Sequence, residues 1–295
     1  MGKRKREARL DAQPGVERLR AGAELEVTVE RILPGGLGLA HAEGQTLLVA
    51  LSAPGDRALV RVERLSGGTA FASIKRILEP SIARVEPLCP YFGRCGGCDF
   101  QQLSYEAQLA AKVEIVRDCL RRVARVEPPA EIHHGLLEPL VREALSDAGG
   151  QSALDLFCGV GLFTLPLARR FSRVVGVEGN AAACAFARRN LQAAGLSNAR
   201  VETSGVGEWM RRRSQAHAPF DFALLDPPRA GAEPETVAAF LTLRPSRISY
   251  VSCDPATLAR DLRALIAGGY RLSSVRAFDM FPQTHHVETV AHITF

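Results

Sequence analysis

Cys253 lies in the stretch "YVSCDPATLARDL", where an apolar run ends and a helical pattern begins. Asp254 is a good helix N-cap, and Pro255 suits the first helical position. The thiol therefore stands beside a helix N-terminus, where the macrodipole favours an anion and a thiol pKa of about 8.5 can fall. The Asp254 carboxylate works against that fall. A small residue closing a buried strand would also explain the cysteine, and local sequence does not separate the two readings. A second reactive candidate is Glu288, in "PQTHHVETVA", near the start of the last apolar run and flanked by His285 and His286. A third is Asp226 in "LLDPPRAG", at the carboxyl end of another apolar run, where open α/β sheets bind their ligands. Two prolines fix the backbone after Asp226. Arg229 follows as a candidate contact for a phosphate or carboxylate.

A nucleoside pocket is readable beside these residues. "LDLFCGVGLF" ends an apolar run in Gly159 and Gly161 and opens a helix, so the backbone can approach a ligand closely. Glu178 ends the next strand, where an acid can accept hydrogen bonds from both ribose hydroxyls. A third glycine three residues after Gly161 is absent, since Thr164 stands there. With no pyrophosphate to cradle, that glycine is less needed, which favours S-adenosylmethionine over a dinucleotide. No hydride-transfer site accompanies the pocket.

A methyl donor beside a thiol and a carboxylate suits one chemistry. The thiolate adds to C6 of a uracil, C5 attacks the electrophilic methyl, and a base removes the C5 proton so that the thiol leaves. Cys253 would be the nucleophile and Glu288 the base. For both to face one pocket, the last strand must insert beside the strand that carries Cys253.

The elements needed for this are present. From about residue 136, strands alternate with helices, as in a doubly wound, Rossmann-like α/β sheet, and the final pair of strands suits an antiparallel arrangement. Residues 22–78 read as short strands with regular turns, a small β-barrel of the kind that often binds RNA. Residues 1–21 read as a basic tail, and Lys3 to Arg6 suit either solvent or nucleic acid. Residues 79–130 hold a cysteine cluster and a helix broken at Pro128 and Pro129, leaving 131–295 as the catalytic domain. The chain has 295 residues, 46% hydrophobic and 23% charged, with net charge +5, which fits a folded protein with a polyanionic partner. No apolar run reaches the roughly 18 residues of a membrane span, and no apolar signal core follows the basic start, so a cytoplasmic protein is expected. No protein partner is evident, and a monomer is expected. Seven cysteines, an odd count, argue against a disulfide framework. Cys89, Cys95 and Cys98, with two glycines between the last pair, have a spacing that can bend onto zinc or an iron–sulfur cluster.

The chain resembles the RNA 5-methyluridine methyltransferases, in the branch with an N-terminal TRAM barrel and an iron–sulfur cluster that modifies bacterial 23S ribosomal RNA. The resemblance runs through the barrel at 23–77, "CPYFGRCGGCDFQQLSYEAQLAAK", "LDLFCGVGLFTLPLA", "GVEGN", "LLDPPRAG", "YVSCDPATLARDL" and "MFPQTHHVETV". It implies a class I methyltransferase sheet and an enzyme that methylates uridine C5 through a Cys253–C6 adduct. It implies that Phe157, Gly159, Glu178 and Asp226 hold S-adenosylmethionine, that Cys253 and Glu288 are catalytic, and that Cys89, Cys95 and Cys98 ligate a [4Fe–4S] cluster. The fourth ligand is not identified. In the family it lies in a central β-region that, like the F-x-Q motif of the cofactor pocket, has no counterpart here. Cys119 is the remaining cysteine before the sheet. Leu162 and Gly205 stand where the family tends to carry polar cofactor contacts. Two other readings stay open, a shortened relative that binds RNA without catalysis and a tRNA uridine methyltransferase. The barrel argues against the second.

Overall fold

The computed structural model describes residues 19–127, 130–134, 137–213 and 220–295. The run Lys3–Arg6 and the prolines at 128 and 129 lie outside the described residues. The chain divides into two compact units, one comprising residues up to Arg31 with Leu37–Arg84, the other Ile32–Gly36 with Val85–Phe295.

The first unit is built on β1 (Glu24–Thr28), β2 (Arg31–Ile32), β3 (Gly38–Ala42), β4 (Gln45–Val49), β5 (Arg57–Ser66) and β6 (Thr69–Glu79), in the order β1-β5-β6-β4-β3-β2. Strand alternation puts Ala58, Val60 and Val62 of β5 inside while Arg57, Arg61 and Glu63 point out. Beyond β1, the Glu30 N–H donates to Leu39 O of β3 (2.8 Å), which curls the sheet back towards its first strand. Buried Asp56 ties the unit's end. Burial opposes its charge, but Arg84 and the N–H groups of Ser81 and Ala53 outweigh burial and hold its pKa down.

The second unit begins with turns over residues 85–104, followed by α1 (Tyr105–Cys119), capped by the Ser104 hydroxyl. A π-helical turn, Leu120–Ala124, ends this helix on Arg125 in the left-handed region, ahead of the proline pair. The helix also starts later than its sequence pattern suggests, because Phe100, Gln102 and Leu103 are buried in the preceding turns. The order then runs β7 (Ala130–His134), α2 (Leu137–Ala144), β8 (Ser152–Leu156), α3 (Thr164–Ala168), β9 (Arg173–Glu178), α4 (Ala181–Ala193), β10 (Ala199–Thr203), α5 (Val206–Arg213), β11 (Phe222–Leu225), α6 (Pro234–Leu243), β12 (Arg247–Ser252), α7 (Pro255–Ala267), β13 (Arg271–Asp279) and β14 (Glu288–Thr294).

Eight of these strands form one sheet in the order β10-β9-β8-β11-β12-β14-β13-β7. β10 to β12 pair in parallel, whereas β14 runs antiparallel between β12 and β13. All five residues of β8 are buried, as in a central parallel strand covered on both faces. Alternation splits the core accordingly. Leu154, Leu156, Ala223 and Leu225 join one cluster, and Ala153, Phe222 and Leu224 the other. The sequence predicts this doubly wound sheet and its antiparallel end, while β7 and α2 were not read from it. Among the described residues no helix is long and apolar enough to cross a membrane.

Candidate active site

The register of β12 against β14 bears on the pair expected to react. The ladder ends with Val251 facing Val290 and Ser252 facing Thr289, so Cys253 follows the last β12 residue and Glu288 precedes the last paired β14 residue, close enough for the Glu288 charge to act on the thiol. The Thr289 hydroxyl donates to Ser252 O (2.8 Å) and pins this end of the pair. Past Cys253, Asp254 accepts from the N–H groups of Ala256 and Thr257 (2.9 and 3.0 Å) and starts α7 with Pro255 at its first turn. Cys253 is half-buried. Burial raises its thiol pKa, and the nearby Glu288 raises it further. The Arg229 guanidinium beside it lowers it by charge and hydrogen bonding, and the balance stays above the ordinary thiol value. Arg229 thus lies beside the thiol.

Burial, reinforced by the charge of Asp226, pushes Glu288 up to about 7. A carboxyl poised there can take a proton near neutral pH. Asp226 itself sits just past β11 and is pushed by burial to about 6. The loop it opens holds Arg229, whose Nη2 lies 2.9 and 3.1 Å from the ring nitrogens of His286.

The nucleoside pocket lies at the carboxyl ends of β8 and β9. Phe157 takes φ +62°, which turns the chain sharply out of β8. Gly159, at φ +52°, has open space where a Cβ would stand. Its N–H donates to Glu178 Oε2 (3.1 Å), and the Asn180 N–H donates to Oε1 (2.7 Å). Glu178 is thereby aimed from both sides while further lone pairs stay free for ribose hydroxyls. Buried Asp155 was not singled out in the sequence. The Thr164 hydroxyl binds one of its oxygens, and Oδ1 has no partner among the described residues. Burial, against the Thr164 hydrogen bond and helped by Asp226 and Glu178, pushes Asp155 up to about 7. An open glycine turn, a braced ribose acid and an unpartnered buried carboxyl oxygen fit a bound nucleoside. Only the motif's apolar flanks pointed to Asp155.

The cysteine segment does not assemble the expected cluster. Cys89, Cys95 and Cys98 are free thiols in a run of turns, with Cys95 exposed. Among the described residues no three His, Cys, Asp or Glu side chains gather closely enough to hold a metal ion. Cys119 cannot complete a set either, because it packs in the core and burial drives its thiol up to about 12. The thiols therefore do not fit a [4Fe–4S] group, and no chemistry is assigned to one. The segment instead braces the loop before β14. The N–H groups of Asp99 and Phe100 donate to Gln283 O (3.1 and 3.0 Å), and the Asp99 carboxylate accepts the His285 N–H (2.8 Å) and pairs with its ring. Buried Lys112 of α1 pairs with Asp279 and donates to Phe281 O (3.0 Å).

Comparison with known proteins shows the family and the fold. Residues 18–75 match the TRAM domain. An uncharacterized RNA methyltransferase of Thermosynechococcus vestitus is 24% identical over 444 positions, covering 92% of this chain and 98% of the relative. That alignment is longer than the 295-residue chain, so a large block of the relative faces no residue here. The 23S rRNA (uracil(1939)-C(5))-methyltransferase RlmD of Aeromonas hydrophila is 48% identical over 155 residues, 52% of this chain and 35% of the relative. The same-named protein of Pectobacterium atrosepticum is 28% identical over 418 positions, covering 90% and 93%. A Pyrococcus abyssi tRNA (uracil-54, C5)-methyltransferase, solved with S-adenosyl-L-homocysteine, superposes with TM-score 0.68 at 21% identity, covering 91% of this chain and 100% of that one. Its likeness establishes a shared fold. The match of residues 116–294, more than half of the chain, places the protein in the tRNA (uracil-5-)-methyltransferase family.

Proposed function

We propose that this protein is an S-adenosylmethionine-dependent RNA methyltransferase that modifies uridine at C5 through a covalent Cys253 adduct. The observation that supports the reading is the β12–β14 register, whose last pair, Ser252 with Thr289, is followed by Cys253 and preceded by Glu288, with the Glu288 charge felt at the thiol. Bound S-adenosylmethionine supplies an electrophilic methyl group. Cys253 adds as a thiolate to C6 of the uracil, and the electron pair released at C5 takes the methyl, leaving neutral S-adenosylhomocysteine. Glu288 removes the C5 proton, the C5–C6 double bond re-forms, and the C6–S bond breaks to return the thiolate. Asp226, Glu178 and Gly159 orient the donor. Base chemistry inside a folded RNA requires the uridine to leave its stack.

The substrate we propose is 23S ribosomal RNA, as for the RlmD proteins this chain resembles. The TRAM domain would grip RNA phosphates and make binding salt-dependent. The test is methyl transfer from labelled S-adenosylmethionine to unmodified 23S rRNA and to tRNA. 5-Methyluridine in the rRNA supports the proposal, label in tRNA alone reassigns the substrate, and label in neither refutes both. The block of the longer relatives with no counterpart here favours a second reading, RNA binding without catalysis. Calorimetry separates the two, because a catalytic protein must bind S-adenosylmethionine.

A further inference from the structure

Arg229 has no task in the reaction just described, yet its backbone is fixed from three sides. The Gly231 N–H closes a turn on Pro228 O (2.8 Å). The Ala232 N–H is shared by Asp261 (2.9 Å) and the Tyr250 hydroxyl (3.2 Å). Arg260 grips the carbonyls of Ala230 (2.9 Å) and Ala232 (3.2 Å). Gly231 sits at φ +78°, and a Cβ there would come within 2.5 Å of Arg260 and 2.7 Å of Asp261, so the turn admits no side chain without shifting. This bracket delivers the guanidinium into a cleft lined by Cys253, Asp254, His285 and His286. There it contacts the His286 ring at 2.9 and 3.1 Å and flanks the thiol.

We propose that Arg229, seated against His286, is the cation that eases Cys253 toward its thiolate against the burial and carboxylate that oppose it, an inference that rests on Cys253 being the nucleophile. The groups packed around the sulfur need such a cation. Glu288 of β14 is a carboxylate that opposes a thiolate, and Asp254 at the start of α7 lines the same cleft. His285 is paired with Asp99, and Lys112 of α1 is answered by Asp279. Burial, His285 and Arg229 together lower the His286 pKa, which favours an uncharged ring beside the guanidinium. A planar fork can serve a ring nitrogen and a sulfur at once, which a lysine does less well.

The test is the alkylation rate of Cys253 by iodoacetamide, followed by peptide mass spectrometry of the free full-length protein from about pH 6 to about pH 10. Arg229→Gln moves the half-point up by about one pH unit, about tenfold slower alkylation near neutral pH. Glu288→Gln moves it down, because a carboxylate leaves the sulfur. Arg229→Lys recovers much of the wild-type profile, and His286→Ala moves it upward by less than Arg229→Gln. A profile of Arg229→Gln that coincides with wild type overturns the proposal. Should that variant fail to fold by circular dichroism, an unmoved profile of His286→Ala overturns it equally. Neither RNA nor S-adenosylmethionine takes part, so failure here is distinct from failure of the nucleophile assignment, which is read from the RNA adduct.

Discussion

The turns around Cys89–Cys98 and the strand end at Cys253 place the same residue type under opposite constraints. Three thiols close together in sequence remain separate, since the turns between Cys89 and Cys98 are closed by backbone bonds such as Phe92 N–H to Cys89 O (3.0 Å) and nothing draws the sulfurs inward. Cys253 and Glu288 are far apart in sequence, yet the antiparallel ladder that ends at Ser252 and Thr289 brings them near enough for the carboxylate to act on the thiol. Spacing brings groups together only where the intervening backbone converts it into proximity, whereas strand register does so by construction, because a one-residue slip would turn every side chain of β14 to the other face.

The comparison breaks most visibly at the catalytic pair. Cys253→Ala should lower methyl transfer by at least about 10⁴-fold, as loss of a covalent nucleophile does in other enzymes, with folding unchanged by circular dichroism. Substantial residual 5-methyluridine would mean that the register-built pair is not the reactive one.

Smaller, and aimed at the brace that the cysteine segment and α1 do provide, is Asp279→Ala. It strands Lys112 as a buried unpaired charge and should cost about 3–5 kcal/mol in urea denaturation. Lys112→Met with Asp279→Leu should recover much of that loss.

A gentler probe of the register-built site is pH. Burial raises Asp155 and Glu288 to about 7 and Asp226 to about 6. A raised carboxyl pKa contributes stability that is complete below the unfolded value and is lost as pH rises through the folded one. The protein without ligand should therefore melt at a falling temperature as pH goes from about 5 to about 8, and Asp155→Asn should flatten that slope in calorimetry. Methyl transfer should run the other way on the same groups, rising as Glu288 ionises near pH 7.

The smallest expected effect belongs to the turns. Replacing Cys89, Cys95 and Cys98 together by serine should change stability by no more than about 1 kcal/mol, since Cys95 is exposed and the other two are only half-buried. Stoichiometric iron and sulfide in anaerobically prepared wild-type protein, lost in this variant, would reverse the contrast between the two regions.

Much of the catalytic unit was legible because its signals are local. Apolar runs ending in Asp226 and Cys253, a glycine turn after Leu156 and a capped α7 each follow from a few consecutive residues. The placement of Glu288 needed one topological rule, the insertion of the last strand. What stayed hidden depends on side chains meeting across elements. The Arg229–His286 contact and the Asp99–His285 pair join distant segments, and Asp155 looked like one more position in an apolar strand. β7 was missed because "AEIHH" is too short and too polar to read as a strand, and pairing with β13 makes it one. The metal reading rested on a spacing, and among the described residues the side chains do not gather as a metal site.

The central claim is that Cys253 and Glu288 act in succession on one base, and trapping tests it most directly. Glu288→Gln, given S-adenosylmethionine and unmodified 23S rRNA, should accumulate a covalent protein–RNA complex, because the thiol has added and the methyl has moved but the C5 proton stays. Mass spectrometry should find the methylated uridine on Cys253, and Cys253→Ala with Glu288→Gln should form no complex. A complex that forms on another residue, or that persists without Cys253, would contradict the account.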